Sequence, residues 1–178
     1  MLELVLNGEH LDGALGRALK SCRHRLLIAT ADVKDLHLPT AAGRAGRAIS
    51  LLDVFEDLTR RAIEIRLLHG GVPSGPFLEH IKRRRPGNLQ MRRCPRVHLK
   101  AVVADGKWMY LGSANLTGAG LGAKSQLRRN FEAGIWTDQL ELIDPVSDLV
   151  EAIWTGDHCL RCGRKKYCPV PLEQPQLG

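Results

Sequence analysis

The stretch Val97 to Leu111, in which two apolar runs flank the dipeptide Asp105-Gly106, narrows the folds open to this chain more than any other. Asp-Gly readily takes up the positive φ angles of a two-residue hairpin turn, so the stretch predicts two antiparallel strands, Val97 to Ala104 and Lys107 to Leu111. The period of two along a strand puts His98 and Lys100 on one face and leaves Val97, Leu99, Ala101 and Val103 on the other. A two-residue turn pairs Ala104 with Lys107, which sets His98 opposite Ser113 and Arg96 opposite Asn115. Imidazole, ammonium, hydroxyl and carboxamide then converge on one patch, a set suited to a bound phosphate.

Helical and strand patterns alternate on either side of the hairpin. Leu11, Leu15, Leu19 and Cys22 stand at helical spacing within residues 9–23, and Arg25 to Ala31 reads as a buried strand. Residues 32–46, with Pro39, Gly43 and Gly46, read as a long loop of the kind that is often functional. Ile49, Leu52, Phe55, Leu58 and Ala62 mark an amphipathic helix, followed by a strand from Glu64 to His69 and a turn from Gly70 to Pro73. Ser74 to Arg85 reads as a helix with Pro76 in its first turn, ended by Pro86-Gly87-Asn88. Asn130 to Thr137 reads as a strand with Asn130 and Glu132 on one face and Phe131, Ala133 and Ile135 on the other. Pro145 to Trp154 reads as the last helix, with Asp144 as its cap. This alternation predicts an α/β fold with a parallel-rich sheet and helices packed on it. With 178 residues the chain fits one domain, residues 1–155, and a short appendage, residues 156–178, divided near Gly156.

The run His98-Leu99-Lys100, then Asp105, then Gly112-Ser113-Ala114-Asn115, resembles the HKD motif of the phospholipase D superfamily. The later Asn130-Phe131-Glu132 resembles the polar strand that follows the motif in the family's small nucleases. The resemblance covers residues 10–155 in element order and implies a mixed sheet flanked by helices on both faces. It also implies the reaction. A neutral His98 imidazole attacks phosphorus to give a phosphohistidine, and a second histidine protonates the leaving oxygen and then activates water. Lys100 and Asn115 hold the equatorial oxygens, so catalysis requires no cofactor. Ser113 donates to a phosphate oxygen or to the histidine, and Glu132 accepts the other imidazole proton. Asp105, Gly112 and Asn130 are motif residues with a structural part. Only one such motif is present and no internal repeat is evident, so the second histidine is expected from a second copy in a homodimer. His69, at the end of another strand, is expected to be structural or to edge the pocket.

A formal charge of +7, with Arg-rich runs at Lys82–Arg85, Arg92-Arg93 and Arg128-Arg129, favours a polyanionic partner, nucleic acid first. No run of apolar residues is long enough to span a membrane and no secretory leader is evident, so a cytoplasmic protein is expected. The chain has five cysteines. Three of them, Cys159, Cys162 and Cys168, form a C-x2-C-x5-C tail that in a reducing compartment suggests a structural zinc ion or iron-sulfur cluster. The spacing resembles the iron-sulfur staple of some DNA exonucleases, in which a remote cysteine completes the set, and the Cys-x2-Cys-Gly turn also resembles a zinc knuckle. Cys22, Cys94 and His158 are the candidates for the fourth ligand.

These features favour a nuclease. Hydrolysis or headgroup transfer on a phospholipid is the alternative, although three Trp, two Tyr and three Phe offer little for an interfacial anchor. A nucleic-acid-binding module of a larger complex is a second alternative, against which the intact catalytic set argues.

Overall fold

The computed structural model describes residues 1–38 and 49–175. Pro39, Gly43 and Gly46 of the expected loop lie outside the described residues. Seven strands form one mixed sheet in the order β1-β9-β8-β7-β2-β5-β6. In chain order these are β1 (Leu2–Leu6), β2 (Arg25–Thr30), β5 (Glu64–His69), β6 (Leu89–Arg93), β7 (Ala101–Ala104), β8 (Trp108–Gly112) and β9 (Ala133–Thr137). The two-residue strands β3 (His37–Leu38) and β4 (Ile49–Ser50) pair apart from the sheet. Strand β2 is the seam, parallel to β5 and antiparallel to β7.

Helices cover both faces. On one lie α1 (Arg17–Ser21), entered through a π-helical turn at His10–Gly16, with α2 (Leu51–Arg60) and α3 (Gly75–Arg84). Leu11, Leu15, Leu19 and Cys22 are buried there with Phe55, Leu58, Phe77 and Ile81, as their helical spacing predicts. The other face lies beneath α4 (Leu140–Thr155), whose Ile143 packs with Leu27, Val103 and Met109 and whose Val150 and Trp154 pack with Ala29, Leu68 and Val97.

Several expected boundaries move, each for a local reason. Helix α2 begins at Leu51 because the Ser50 hydroxyl accepts the Leu52 N–H at 3.1 Å and caps it, which leaves Ile49 in β4. It ends before Ala62, whose φ of 63° is left-handed. Helix α4 starts at Leu140 with Gln139 as its cap, so Asp144 is not a cap and Pro145 lies inside the helix. The earlier start is what carries Ile143 onto the sheet. Strand β9 begins at Ala133, so the expected strand residues Asn130, Phe131 and Glu132 precede it, and Phe131 stands out into solvent, 96% exposed. The hairpin register also differs by one residue. Asp105 and Gly106 take positive φ, 55° and 67°, and the Lys107 N–H closes the turn on the Ala104 carbonyl at 3.0 Å. Lys107 is nevertheless a third loop residue, and Ala104 pairs with Trp108. This register turns Trp108 and Tyr110 toward the face of α1–α3 and Met109 and Leu111 toward α4; a slip of one residue would exchange the two sets.

Candidate active site

The ends of four strands meet at one end of the sheet: the Thr30 end of β2, the start of β7, the Gly112 end of β8 and the start of β9. The chain leaves β6, folds a turn in which the Val97 N–H donates to the Cys94 carbonyl at 2.9 Å, and runs through Val97–Lys100 into β7. Val97 and Leu99 pack beneath α4, so alternation sends His98 and Lys100 to the opposite side. His98 is exposed, whereas Lys100 is buried with its Nζ 3.1 and 3.3 Å from the two ring nitrogens of His98 and donating to the His98 carbonyl at 2.7 Å. Burial holds the Lys100 ammonium below its ordinary value, against the opposing charge of Glu132.

Across the cleft, the Gly112 N–H donates to the Lys100 carbonyl at 3.0 Å. A Cβ at Gly112 would collide with the Tyr110 hydroxyl and lie 2.7 Å from the Ala133 carbonyl, so this approach of strands requires glycine. The Ser113 hydroxyl donates to the Glu132 carboxylate and accepts the Ala133 N–H at 3.0 Å. The Asn130 amide donates to the other Glu132 oxygen at 3.0 Å, and Asn7 holds the Glu132 backbone on both sides, accepting at 3.2 Å and donating at 2.9 Å. The Asn115 carbonyl oxygen accepts the Asp32 N–H at 3.2 Å and lies 3.4 Å from the Thr30 hydroxyl, which leaves the Asn115 NH2 as a donor toward the cleft. His98, Lys100, Gly112, Ser113 and Asn115 together line one widely open cleft of about 550 Å³.

The family model described as "Cardiolipin synthase, PLD-like domain" matches residues 15–154 of this chain. The chain belongs to the phospholipase D-like superfamily. Solved structures share its fold: Nuc from Salmonella typhimurium, a phospholipase D family member (TM-score 0.62, 14% identity, 87% of this chain and 94% of that one), and NucT from Helicobacter pylori (0.60, 15%, 85% and 93%). TrmBL2, an archaeal chromatin protein with a described mode of DNA binding, is a further match (0.54, 13%, 86% and 52%). No curated protein matches the sequence.

Within this phospholipase D-like frame, His98, Lys100, Ser113 and Asn115 are brought together as the motif spacing implies, although the one-residue shift in register takes Ser113 off the direct cross-strand partner of His98. Glu132 is reached by Ser113 and Asn130, and the imidazole meets Lys100 in its place. Asp105 lies at the opposite end of the sheet, where its carboxylate accepts the N–H groups of Arg23, His24 and Arg25 at 2.7, 2.8 and 2.9 Å. Burial works to raise this carboxyl, but the three amides outweigh it and hold it below the usual range. His69 is buried with its Nδ1 2.8 Å from the Gly71 carbonyl, and desolvation lowers its basicity. Sequence reasoning missed Asn7, Thr30 and Asp32, which position Glu132 and Asn115. No local pattern marks them, because they come from the turn after β1, from β2 and from the turn after β2.

The tail cysteines divide the fourth-ligand candidates. Cys22 is buried in the main core, where its thiol donates to Asp105 at 3.5 Å and is pushed up to about 11 by burial and the Asp105 charge. It stands apart from the tail. Cys94 and His158 line the same cavity as Cys159, Cys162 and Cys168. Among the described residues no three His, Cys, Asp or Glu side chains are already gathered into a set that could hold an ion, and no helix is long and apolar enough to cross a membrane.

Proposed function

We propose that the protein is a nuclease that cleaves nucleic-acid phosphodiesters through a phosphohistidine on His98, in a site completed by a second copy of the chain. The observation that carries the reading is the open cleft that His98, Lys100, Ser113 and Asn115 line together. A phosphodiester seated there receives the Lys100 ammonium and the Asn115 NH2 on its non-bridging oxygens, which offsets the charge that gathers on them in the transition state. A ring nitrogen of His98 attacks phosphorus with its lone pair as the bond to the leaving oxygen breaks, and the His98 imidazolium of the second copy supplies that oxygen with a proton. The second imidazole, now neutral, takes a proton from water, and the resulting hydroxide attacks the phosphohistidine. The P–N bond breaks and its electron pair returns to nitrogen. Ser113 and Asn130 hold the Glu132 carboxylate beside the site, where it raises the Lys100 ammonium and stabilises positive charge.

The nucleic-acid reading is supported by what surrounds the cleft. Residues 113–132 join β8 to β9 beside it and carry exposed Lys124 and Arg128, with Arg129 half-buried. Phe131 adds a free aromatic face on which a base could stack, 96% exposed between Asn130 and Glu132. The chromatin protein of like fold binds DNA. Five unpaired cysteines suit the reducing cytoplasm. One observation favours a second reading, cleavage or transfer of a phospholipid headgroup: the matching family model is described by a cardiolipin synthase, and the exposed Leu127 and Phe131 could also meet acyl chains. Incubation with labelled DNA, RNA and phospholipid vesicles, in EDTA with no added divalent cation, decides between them. Cleavage of DNA or RNA is expected. Turnover of the vesicles alone transfers the same chemistry to lipid, and binding without turnover of any of them makes the chain a nucleic-acid-binding module.

A further inference from the structure

The C-terminal segment turns back over the sheet. Gly156, at φ 88°, stops α4, and the chain returns until Arg93 and Glu173 are joined twice, by a backbone hydrogen bond of 2.8 Å and an ion pair of 2.9 Å. Arg164 donates to the Pro95 carbonyl at 3.5 Å, and Arg96 donates to the Cys162 sulfur at 3.8 Å. The tail therefore lies over Cys94–Val97, the segment that leads into His98. Between the two is a cavity of about 260 Å³, lined by Cys94, Cys159, Cys162 and Cys168, four of the chain's five cysteines.

We propose that Cys94, Cys159, Cys162 and Cys168 ligate one thiophilic metal centre, a zinc ion or an iron-sulfur cluster, that staples the tail to the segment carrying the nucleophile. Two of the ligands begin tight turns, closed by Val97 N–H to the Cys94 carbonyl at 2.9 Å and Cys162 N–H to the Cys159 carbonyl at 3.2 Å. Turns of this kind let two thiolates with two residues between them, such as Cys159 and Cys162, wrap one centre. Four thiolates complete either a tetrahedral zinc site or the ligand set of a cluster. Either would carry net negative charge, and Arg96, Arg164 and Lys165 on the cavity wall offset it. The thiols surround the cavity without yet being closed on one point, so binding draws them inward from backbone positions already in place. His158 borders the cavity too, but it adjoins Cys159, and neighbouring residues reach one tetrahedral centre only with strain. The centre is remote from the phosphate chemistry and anchors the segment that leads into it, since Cys94 lies four residues before His98 and its N–H is fixed to the His69 carbonyl at 2.9 Å.

The test is metal content of the full chain, purified under exclusion of air and without chelator, with Cys94→Ser, Cys162→Ser, His158→Ala and Cys22→Ser beside it. The wild type and the His158 and Cys22 variants are expected to hold about one zinc per chain, or iron with acid-labile sulfide and absorption in the blue. Cys94→Ser and Cys162→Ser should lose most of it. Stripping the metal from the wild type should make four thiols newly reactive to an alkylating agent, read by mass. A folded, metal-free wild type with those thiols reactive or joined as disulfides overturns the proposal, even where the serine variants fail to fold. Full metal in Cys94→Ser, or none in a folded Cys22→Ser, overturns the ligand set. None of these readouts depends on the protein cleaving a phosphodiester.

Discussion

Lys100 is a cation held in a largely buried position with its head against His98 and the cleft. Burial disfavours the charged form, so its ammonium loses its proton at a lower pH than an exposed lysine, which titrates near pH ~10.4. If the charge steadies the phosphoryl oxygens, kcat/KM should fall as pH rises through that lowered value. Lys100→Arg, whose guanidinium keeps its charge, should push this alkaline limb upward even though it lowers the plateau. A pH–rate profile with the same alkaline limb in both proteins would take the charge of Lys100 out of the mechanism. His98 answers a different question. It is exposed and fills no core, so His98→Ala should leave the thermal midpoint within a few degrees while lowering turnover by roughly 10³-fold or more, as expected of a lost nucleophile. Activity within tenfold of the wild type removes His98 from that role. The intermediate should be trapped as acid-labile, alkali-stable phosphate on His98; phosphate found on Ser113 would reverse the two assignments.

Among the elements, the hairpin of β7 and β8 is held at its far end by Asp105, whose carboxylate gathers three consecutive backbone N–H groups at the entry to β2. Asn at this position tolerates the positive φ but replaces one accepting oxygen with a donor, so Asp105→Asn should cost about 1–3 kcal/mol of stability at neutral pH. The folded-state pKa of Asp105 is lowered, so its contribution is complete above the unfolded value of about 4 and is lost as pH falls through the folded value. Urea midpoints of the two proteins should therefore differ at pH 7 and converge in acid below pH ~4; a constant gap across that window would mean that the carboxylate charge is idle. The same hairpin shows what the sequence makes legible. Alternation and the Asp-Gly pair are local signals, and they were enough to place His98 and Lys100 on one face. The register needed tertiary packing, because Trp108 is fixed by stacking on Trp136 at 6.0 Å between ring centroids. Strand β6 was illegible for a related reason: of Leu89–Arg93 only Met91 is buried, and its arginines find partners far along the chain, Arg92 over the Trp154 ring and Arg93 with Glu173. Strand β1 hides in the same way, an edge strand whose Leu2, Leu4 and Leu6 are exposed. The positioning residues Asn7, Thr30 and Asp32 were unreadable because only the fold brings them to Glu132 and Asn115.

For the whole molecule, one chain presents one nucleophile in a cleft that is widely open, and the reaction proposed for it needs a second imidazole as proton donor. In the proposed dimer a twofold axis through the mouth of the cleft would bring His98 of two copies to one phosphate, so that a single encoded motif would serve as both nucleophile and acid. That arrangement makes a quantitative demand on mixtures. Suppose wild-type and His98→Ala chains are mixed equally under conditions that allow exchange. Random pairing leaves about a quarter of the dimers with both imidazoles, and every other dimer lacks either the nucleophile or the acid. Activity should then follow the square of the wild-type fraction, falling to about a quarter of that of the same total concentration of wild type, whereas independent monomers would keep about half. Mixing His98→Ala with Lys100→Ala should not restore full activity, since both substitutions damage the one shared site. Light scattering across a dilution series supplies the partner measurement: specific activity should fall where the mass falls from dimer to monomer. A monomer that keeps full specific activity, together with linear dependence on the wild-type fraction, would refute the shared site and require a second acid from within the chain. His69 would then be the first residue to substitute, since it lies at the same end of the sheet, at the end of β5 beside Thr30, with its Nε2 buried and without a hydrogen-bond partner among the described residues.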